Sequence, residues 1–142
     1  PHRPHRIYST LAAALARFRL LPPQTCENLY LLDWVARHSL KETDGGFTWK
    51  FDPAIWRDFS IGDAAARLKA TKSRIAVFRG EHSLLLPPQI GEYMFNLLGR
   101  AAPVVEIPQA QHHLMLDQPL AFVAALRAIL ADWEHSVSRR RV

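Results

Sequence analysis

Val104-Val105-Glu106-Ile107-Pro108-Gln109-Ala110-Gln111-His112-His113-Leu114-Met115-Leu116-Asp117-Gln118-Pro119 is the stretch around which the rest of the chain is organised. A short β-branched run feeds a loop with two histidines, and Pro119 then opens a long apolar-patterned helix, where its missing N–H costs nothing. Two readings of the histidines stand side by side. A histidine on a loop at the C-terminal end of a strand is well placed for general-base work, because the scaffold fixes the imidazole and the loop leaves it reachable. Equally, His112 and His113 could be ordinary loop residues, since only geometry proves a catalytic role.

The same stretch resembles the C-terminal histidine segment of the α/β-hydrolase superfamily. In that family the last strand of a parallel sheet is followed by the catalytic histidine, a few apolar residues, an acidic or amide pair and a proline that opens the final helix. Counted back from Pro119, His112 takes the family's histidine position, so the resemblance implies that His112 is the general base. His113 takes the next position, which has no chemical role.

Upstream, Arg74-Ile75-Ala76-Val77-Phe78-Arg79-Gly80-Glu81-His82-Ser83 looks like the preceding strand with its glycine-containing exit turn. The family often carries the histidine-orienting acid there, as Gly-x-x-Asp. Here Ser83 stands in the aspartate's place, and a serine cannot supply the negative charge that stabilises an imidazolium. Two sources of the acid remain. Glu81 is the candidate inside the chain; the other is an acid after an earlier strand, outside it.

At 142 residues the chain can bury one modest core, whereas single α/β domains run to about 250 residues. It contains no Gly-x-Ser-x-Gly nucleophile elbow. The resemblance therefore covers a C-terminal half. It implies a partial α/β fold: a helical lid segment at 1–70, a βαβα unit with parallel strands at 71–136, and a disordered basic tail at 137–142. Such a chain lacks its nucleophile and is expected to be inactive alone.

The formal charge of +5 is concentrated at the ends. Arg3, Arg6, Arg17 and Arg19 meet no acid in the first twenty positions, Arg139, Arg140 and Arg141 crowd the C-terminus, and the remainder is slightly acidic. No helix-turn-helix, zinc or RNA-binding signature accompanies them, which argues against a nucleic-acid partner. His2 and His5 have no further ligands at metal-binding spacing, so neither metal nor cofactor is expected. Cys26, the single cysteine, excludes an intrachain disulfide and reads as a buried inert thiol. No apolar run is long enough to span a bilayer, and a cytoplasmic location is the default. Nothing fixes the oligomeric state.

Taken in order, residues 1–6 read as an extended lead-in. Ser9 or Thr10 caps a helix through Arg19 with Leu11, Leu15 and Phe18 on one face, ended by Pro22-Pro23. A second helix spans Glu27 to His38, with Leu31, Val35 and one side of Trp34 apolar. Asp44-Gly45-Gly46 is a turn, and Phe47 to Asp52 alternates like a short strand or extended arm. Helices with an aromatic-rich extended piece ahead of the penultimate strand resemble the family's lid. Arg17-Phe18-Arg19-Leu20-Leu21-Pro22-Pro23 and Trp49-Lys50-Phe51-Asp52 look like lid motifs of a bacterial branch. Phe18, Tyr30, Trp34, Phe47, Trp49 and Trp56 are the aromatics from which a substrate pocket could be lined, with Phe18, Trp34 and Trp49 foremost; aromatics fill cores as well as pockets.

Beyond Asp63 come a short helix to Ala70, a buried strand over Ile75 to Phe78, and a helix from Pro87-Pro88 with Ile90, Met94, Leu97 and Leu98 inward and Gly99 at its end. The final helix is expected to pack through Leu120, Val123, Ala124, Leu126, Leu130 and Trp133. The resemblance implies a cofactor-independent hydrolase of small-molecule carboxylic esters, thioesters or lactones. An Asp nucleophile would instead give an epoxide hydrolase or dehalogenase. Loss of the triad acid would give a non-catalytic binding relative.

Overall fold

The computed structural model describes residues 6–56, 60 and 62–136; the lead-in at 1–5 and the basic tail at 137–142 lie outside them. The chain divides into two compact units, Pro1–Gly62 and Asp63–Val142. The dividing point precedes the helix Ala64–Ala70, which goes with the second unit.

In the first unit, α1 is short, Leu11–Leu15, and Thr10 caps it by accepting the Ala13 amide at 3.1 Å. It does not reach Arg19. Beyond Leu15 the amides of Arg17 and Phe18 bond three residues back, and the Arg19 guanidinium takes the carbonyls of Ala16 and Phe18. Helix α2 spans Leu29–His38, capped by Asn28. Two strands follow, β1 at Leu40–Thr43 and β2 at Gly46–Trp49, in antiparallel register from Leu40↔Trp49 to Thr43↔Gly46.

Strand β1 is the element that pattern reading misses, because Leu40-Lys41-Glu42-Thr43 has one apolar residue and no alternation. Its partner and turn create it. Asp44-Gly45 form the turn, with Gly45 at φ 92°, and Gly46, paired with Thr43, takes φ 136° where a Cβ would stand 2.1 Å from Tyr8 O. Tyr8 adds a bridge to Phe47 through two 2.8 Å hydrogen bonds. Cys26 is half-buried, not fully buried.

The second unit carries the βαβα arrangement. Helix α3, Ala64–Ala70, is capped by Asp63; strand β3, Val77–Gly80, is followed by α4, Pro88–Leu97; strand β4, Val104–Ile107, by α5, Leu114–Asp117, and α6, Pro119–His135. β3 and β4 pair in parallel, Val77↔Val104 to Gly80↔Ile107. The strand lies later than Ile75–Phe78 because pairing begins where the Val77 amide donates to the Pro103 carbonyl. Helix α4 ends in a Schellman turn: Gly99 N–H reaches Asn96 O, Arg100 N–H reaches Phe95 O, and Gly99 takes φ 67°.

The core sits where the histidine loop and α6 meet the strands. Ile107, Ala110 and Leu114 are buried, with Phe78, Val105, Phe122 and Ala125 packed on them; Phe78 and Phe122 meet edge to face at 5.5 Å. The inward side of α6 is Phe122, Ala125, Leu126, Ile129 and Trp133, whereas Leu120, Val123, Ala124 and Leu130 are exposed. Ile90 is likewise exposed. Helix α6 is apolar almost all round, so periodicity alone could not pick its inward side. Replacing Ile107, 3% exposed, with Ala is expected to destabilise the second unit by about 2–5 kcal/mol in chemical denaturation, the ordinary cost of an aliphatic core truncation.

Candidate active site

The site is built at the C-terminal ends of β3 and β4. Pairing continues past both strands: Glu81 N–H donates to Ile107 O at 3.0 Å, and His82 N–H to Ala110 O at 2.8 Å. The histidine loop is thereby laid against the β3 exit turn. Gly80 makes this approach possible. A Cβ there would stand 2.0 Å from Gln111 O and 2.5 Å from Ala110 O, distances no side chain tolerates.

Two carboxylates then fix the loop's backbone. Glu81 accepts the amide of Gln109 at 2.8 Å, which holds that residue at φ 56°. Asp117, at the end of α5, accepts the amide of Gln111 at 2.7 Å. Between these anchors the His112 ring is directed back toward β3, where Nδ1 lies 3.0 Å from Ser83 Oγ. The same oxygen accepts the Leu86 amide at 3.1 Å. Ser83 is 4% exposed. His113 caps α5, its carbonyl accepting the Leu116 amide, and its ring stands edge-on to His112.

No hydrogen bond joins Glu81, the candidate acid within the chain, to His112 among the described residues. Its carboxylate is committed to the Gln109 amide, with His82 Nε2 at 3.8 Å. The Gly-x-x-Asp position does face the histidine, as the resemblance implied, but the group presented there is the neutral hydroxyl of Ser83. Among the described residues no carboxylate bonds to His112 and Nε2 has no hydrogen-bond partner.

Arg79 is a contributor that the sequence reading passed over. Its side chain is 4% exposed and pairs with the half-exposed carboxylate of Glu106. Nε donates to Leu86 O at 3.1 Å and Nη2 to Glu81 O at 3.3 Å, so one guanidinium holds both ends of the turn that presents Ser83. The signal was an arginine inside an otherwise apolar strand, since a buried charge needs partners. Arg79→Met keeps the stem that packs near Gly91 but loses the clamp. It is expected to cost about 1–3 kcal/mol and to speed hydrogen exchange at the Leu86 amide.

Phe18, Trp34 and Trp49 belong to the first unit. Phe18 and Tyr8 both pack on Trp49, with centroids 6.1 and 6.3 Å away, while Trp34 stacks on His38 at 3.9 Å and remains half exposed. A surface cleft of about 270 Å³ in the second unit is lined by Ser73, Arg74, Ile75, Leu98, Ala102 and Trp133. These residues precede or face the N-terminal ends of β3 and β4, so the cleft lies at the opposite end of the strands from His112. Among the described residues no cluster of three or more His, Cys, Asp or Glu could hold a metal, and no helix is long and apolar enough to cross a membrane.

No protein-family model matches the chain, and no curated protein does so. Solved structures do match. The chain superposes on E-2-(acetamidomethylene)succinate hydrolase with a TM-score of 0.71 at 19% identity, covering 89% of this chain and 47% of that one. The fold is that of the α/β-hydrolases. An esterase of M. tuberculosis gives a TM-score of 0.64 at 20% identity, over 89% of this chain and 43% of that one. The thioesterase domain from the curacin biosynthetic pathway gives 0.59 at 22%, over 91% and 44%. The chain thus spans under half the length of these α/β-hydrolase structures, and its parallel strand pair is part of a partial α/β fold.

Proposed function

We propose that this chain supplies the histidine arm of an α/β-fold hydrolase acting on small carboxylic esters, thioesters or lactones. The observation that carries the reading is the placement of His112. It stands on a loop at the C-terminal end of β4, anchored through Gln109, Ala110 and Gln111, with Nδ1 held and Nε2 without a described partner. In the reaction Nε2 takes the proton of an attacking hydroxyl, or later of the hydrolytic water, while an acceptor on Nδ1 holds the tautomer that leaves Nε2 unprotonated. The nucleophile comes from outside these residues. The lid role that the resemblance implies for the first unit has Phe18, Trp34 and Trp49 as its aromatics.

Hydrolase, esterase and thioesterase neighbours support the ester class over epoxide or halide chemistry. The test is a substrate panel, applied to the protein with its nucleophile-bearing part: p-nitrophenyl esters, an acyl thioester and a lactone against an epoxide and a haloalkane. Turnover of the first group alone, with trapping of an acyl-enzyme, upholds the reading; turnover of the second group alone assigns an Asp nucleophile instead. One observation favours a non-catalytic ligand-binding relative, namely a neutral serine where a triad has its acid. Complete inertness toward every substrate, with retained binding of an ester analogue, would select it.

A further inference from the structure

We infer that Ser83 is the positioning residue that sets the tautomer of His112, and that it does so by donating its hydroxyl proton to Nδ1, which leaves the neutral ring's proton on Nε2. A neutral imidazole has one donor nitrogen and one acceptor nitrogen, so the group on Nδ1 decides which is which. Ser83 is 4% exposed, and its oxygen already accepts the Leu86 amide at 3.1 Å. If Nδ1 also donated to that oxygen, the hydroxyl proton would need a third partner. Among the described residues Ser83 Oγ has two hydrogen-bond partners, the Leu86 amide and Nδ1, and stranding a buried donor is costly. Running the bond from Oγ–H to Nδ1 satisfies all three groups at once, in keeping with the absence of unsatisfied buried side-chain atoms among the described residues.

The consequence is chemical. With its proton on Nε2, His112 presents a hydrogen-bond donor suited to a carbonyl or carboxylate oxygen, and that nitrogen cannot accept a proton. A carboxylate on Nδ1 reverses the ring, because an ionised carboxylate only accepts. The inference rests on His112 being the reacting histidine and adds a condition to that role: Nε2 becomes a base when an acceptor replaces the Ser83 hydroxyl on Nδ1. Arg79 contributes by fixing the turn, through Leu86 O and Glu81 O.

The experiment is two-dimensional NMR of the ring nitrogens in the ¹⁵N-histidine-labelled chain, recorded at about pH 9, where imidazoles are ordinarily neutral, and assigned with His112→Gln. The expected pattern is a pyridine-type Nδ1 and a pyrrole-type Nε2. Ser83→Thr retains it, Ser83→Ala averages the two nitrogens, and Ser83→Asp inverts it. Methyl signals of Ile107 and Leu114 separate these local effects from loss of the fold. A pyrrole-type Nδ1 in the unaltered chain, or a ring pattern indifferent to Ser83→Ala, would overturn the inference. The ring nitrogens report the tautomer whether or not anything is hydrolysed, so failure of the hydrolase reading and failure of this one are distinguishable.

Discussion

His112→Ala, in the protein that carries the nucleophile, is expected to lower kcat/KM by about four orders of magnitude or more, leaving the thermal midpoint nearly unchanged. The size follows from the way a nucleophile and its base act as one unit: removing either partner alone costs almost as much as removing both. The small effect on stability follows from the ring's surroundings. His112 is only half-buried and shares one side-chain hydrogen bond, with Ser83, whereas the core beside it is made by Ile107, Ala110 and Leu114. His113→Ala serves as the internal control. Its backbone carbonyl caps α5 and survives the substitution, so the rate should fall by less than about tenfold, below the roughly 10²–10⁴-fold that one general acid–base group contributes. Equal losses at the two positions would mean that the proton is handled by the wrong member of the pair. Steady-state kinetics on one ester substrate for the three proteins decides it.

Gly80→Ala is expected to be the most damaging single methyl in the second unit. The added carbon would lie 2.0 Å from Gln111 O and 2.5 Å from Ala110 O, and both obstacles are backbone, so no rotamer change relieves the contact. Either the histidine loop is pushed off the end of β3 or the β3–β4 pairing opens. The cost should be about 3 kcal/mol or more, beyond the usual range for a surface methyl and typical of overpacking against an unyielding neighbour. The histidine moves with the loop, and a displacement of about 1 Å costs on the order of a hundredfold in rate. Urea denaturation gives the first number and kcat/KM the second. A Gly80→Ala protein as stable and as active as its parent would refute the close approach that builds the site.

Much of this was legible from local pattern. The β-branched run at Val104 predicts a strand and Pro119 the start of a helix, and both lie where those residues require. Gly99 predicts the end of α4, which closes in a left-handed turn at that residue. These signals are local, because a proline's missing N–H and a glycine's tolerance of positive φ act within one turn of chain. The family resemblance, not local pattern, implied that the Ser83 position faces the histidine.

Three-dimensional packing decided the rest. Glu81, an acid near the end of β3, was the reasonable partner for the histidine by charge, yet its carboxylate is directed to the Gln109 amide and the neutral Ser83 takes Nδ1. Charge is visible in a sequence, but the direction in which a turn presents each side chain is set by pairings such as His82 N–H to Ala110 O, twenty-eight residues apart. The inward side of α6 was likewise undetermined, because Leu120, Val123 and Leu130 are as apolar as Phe122, Leu126 and Ile129. Only the position of β4 distinguishes them. Sequence by itself determined the paired strands of the second unit, the helices that follow them and that a histidine comes after the last strand, since those depend on periodicity and backbone restriction. Which side chain reaches that histidine was decided by the tertiary structure, since a hydrogen bond between Ser83 and His112 exists only once two distant turns are laid side by side at Gly80.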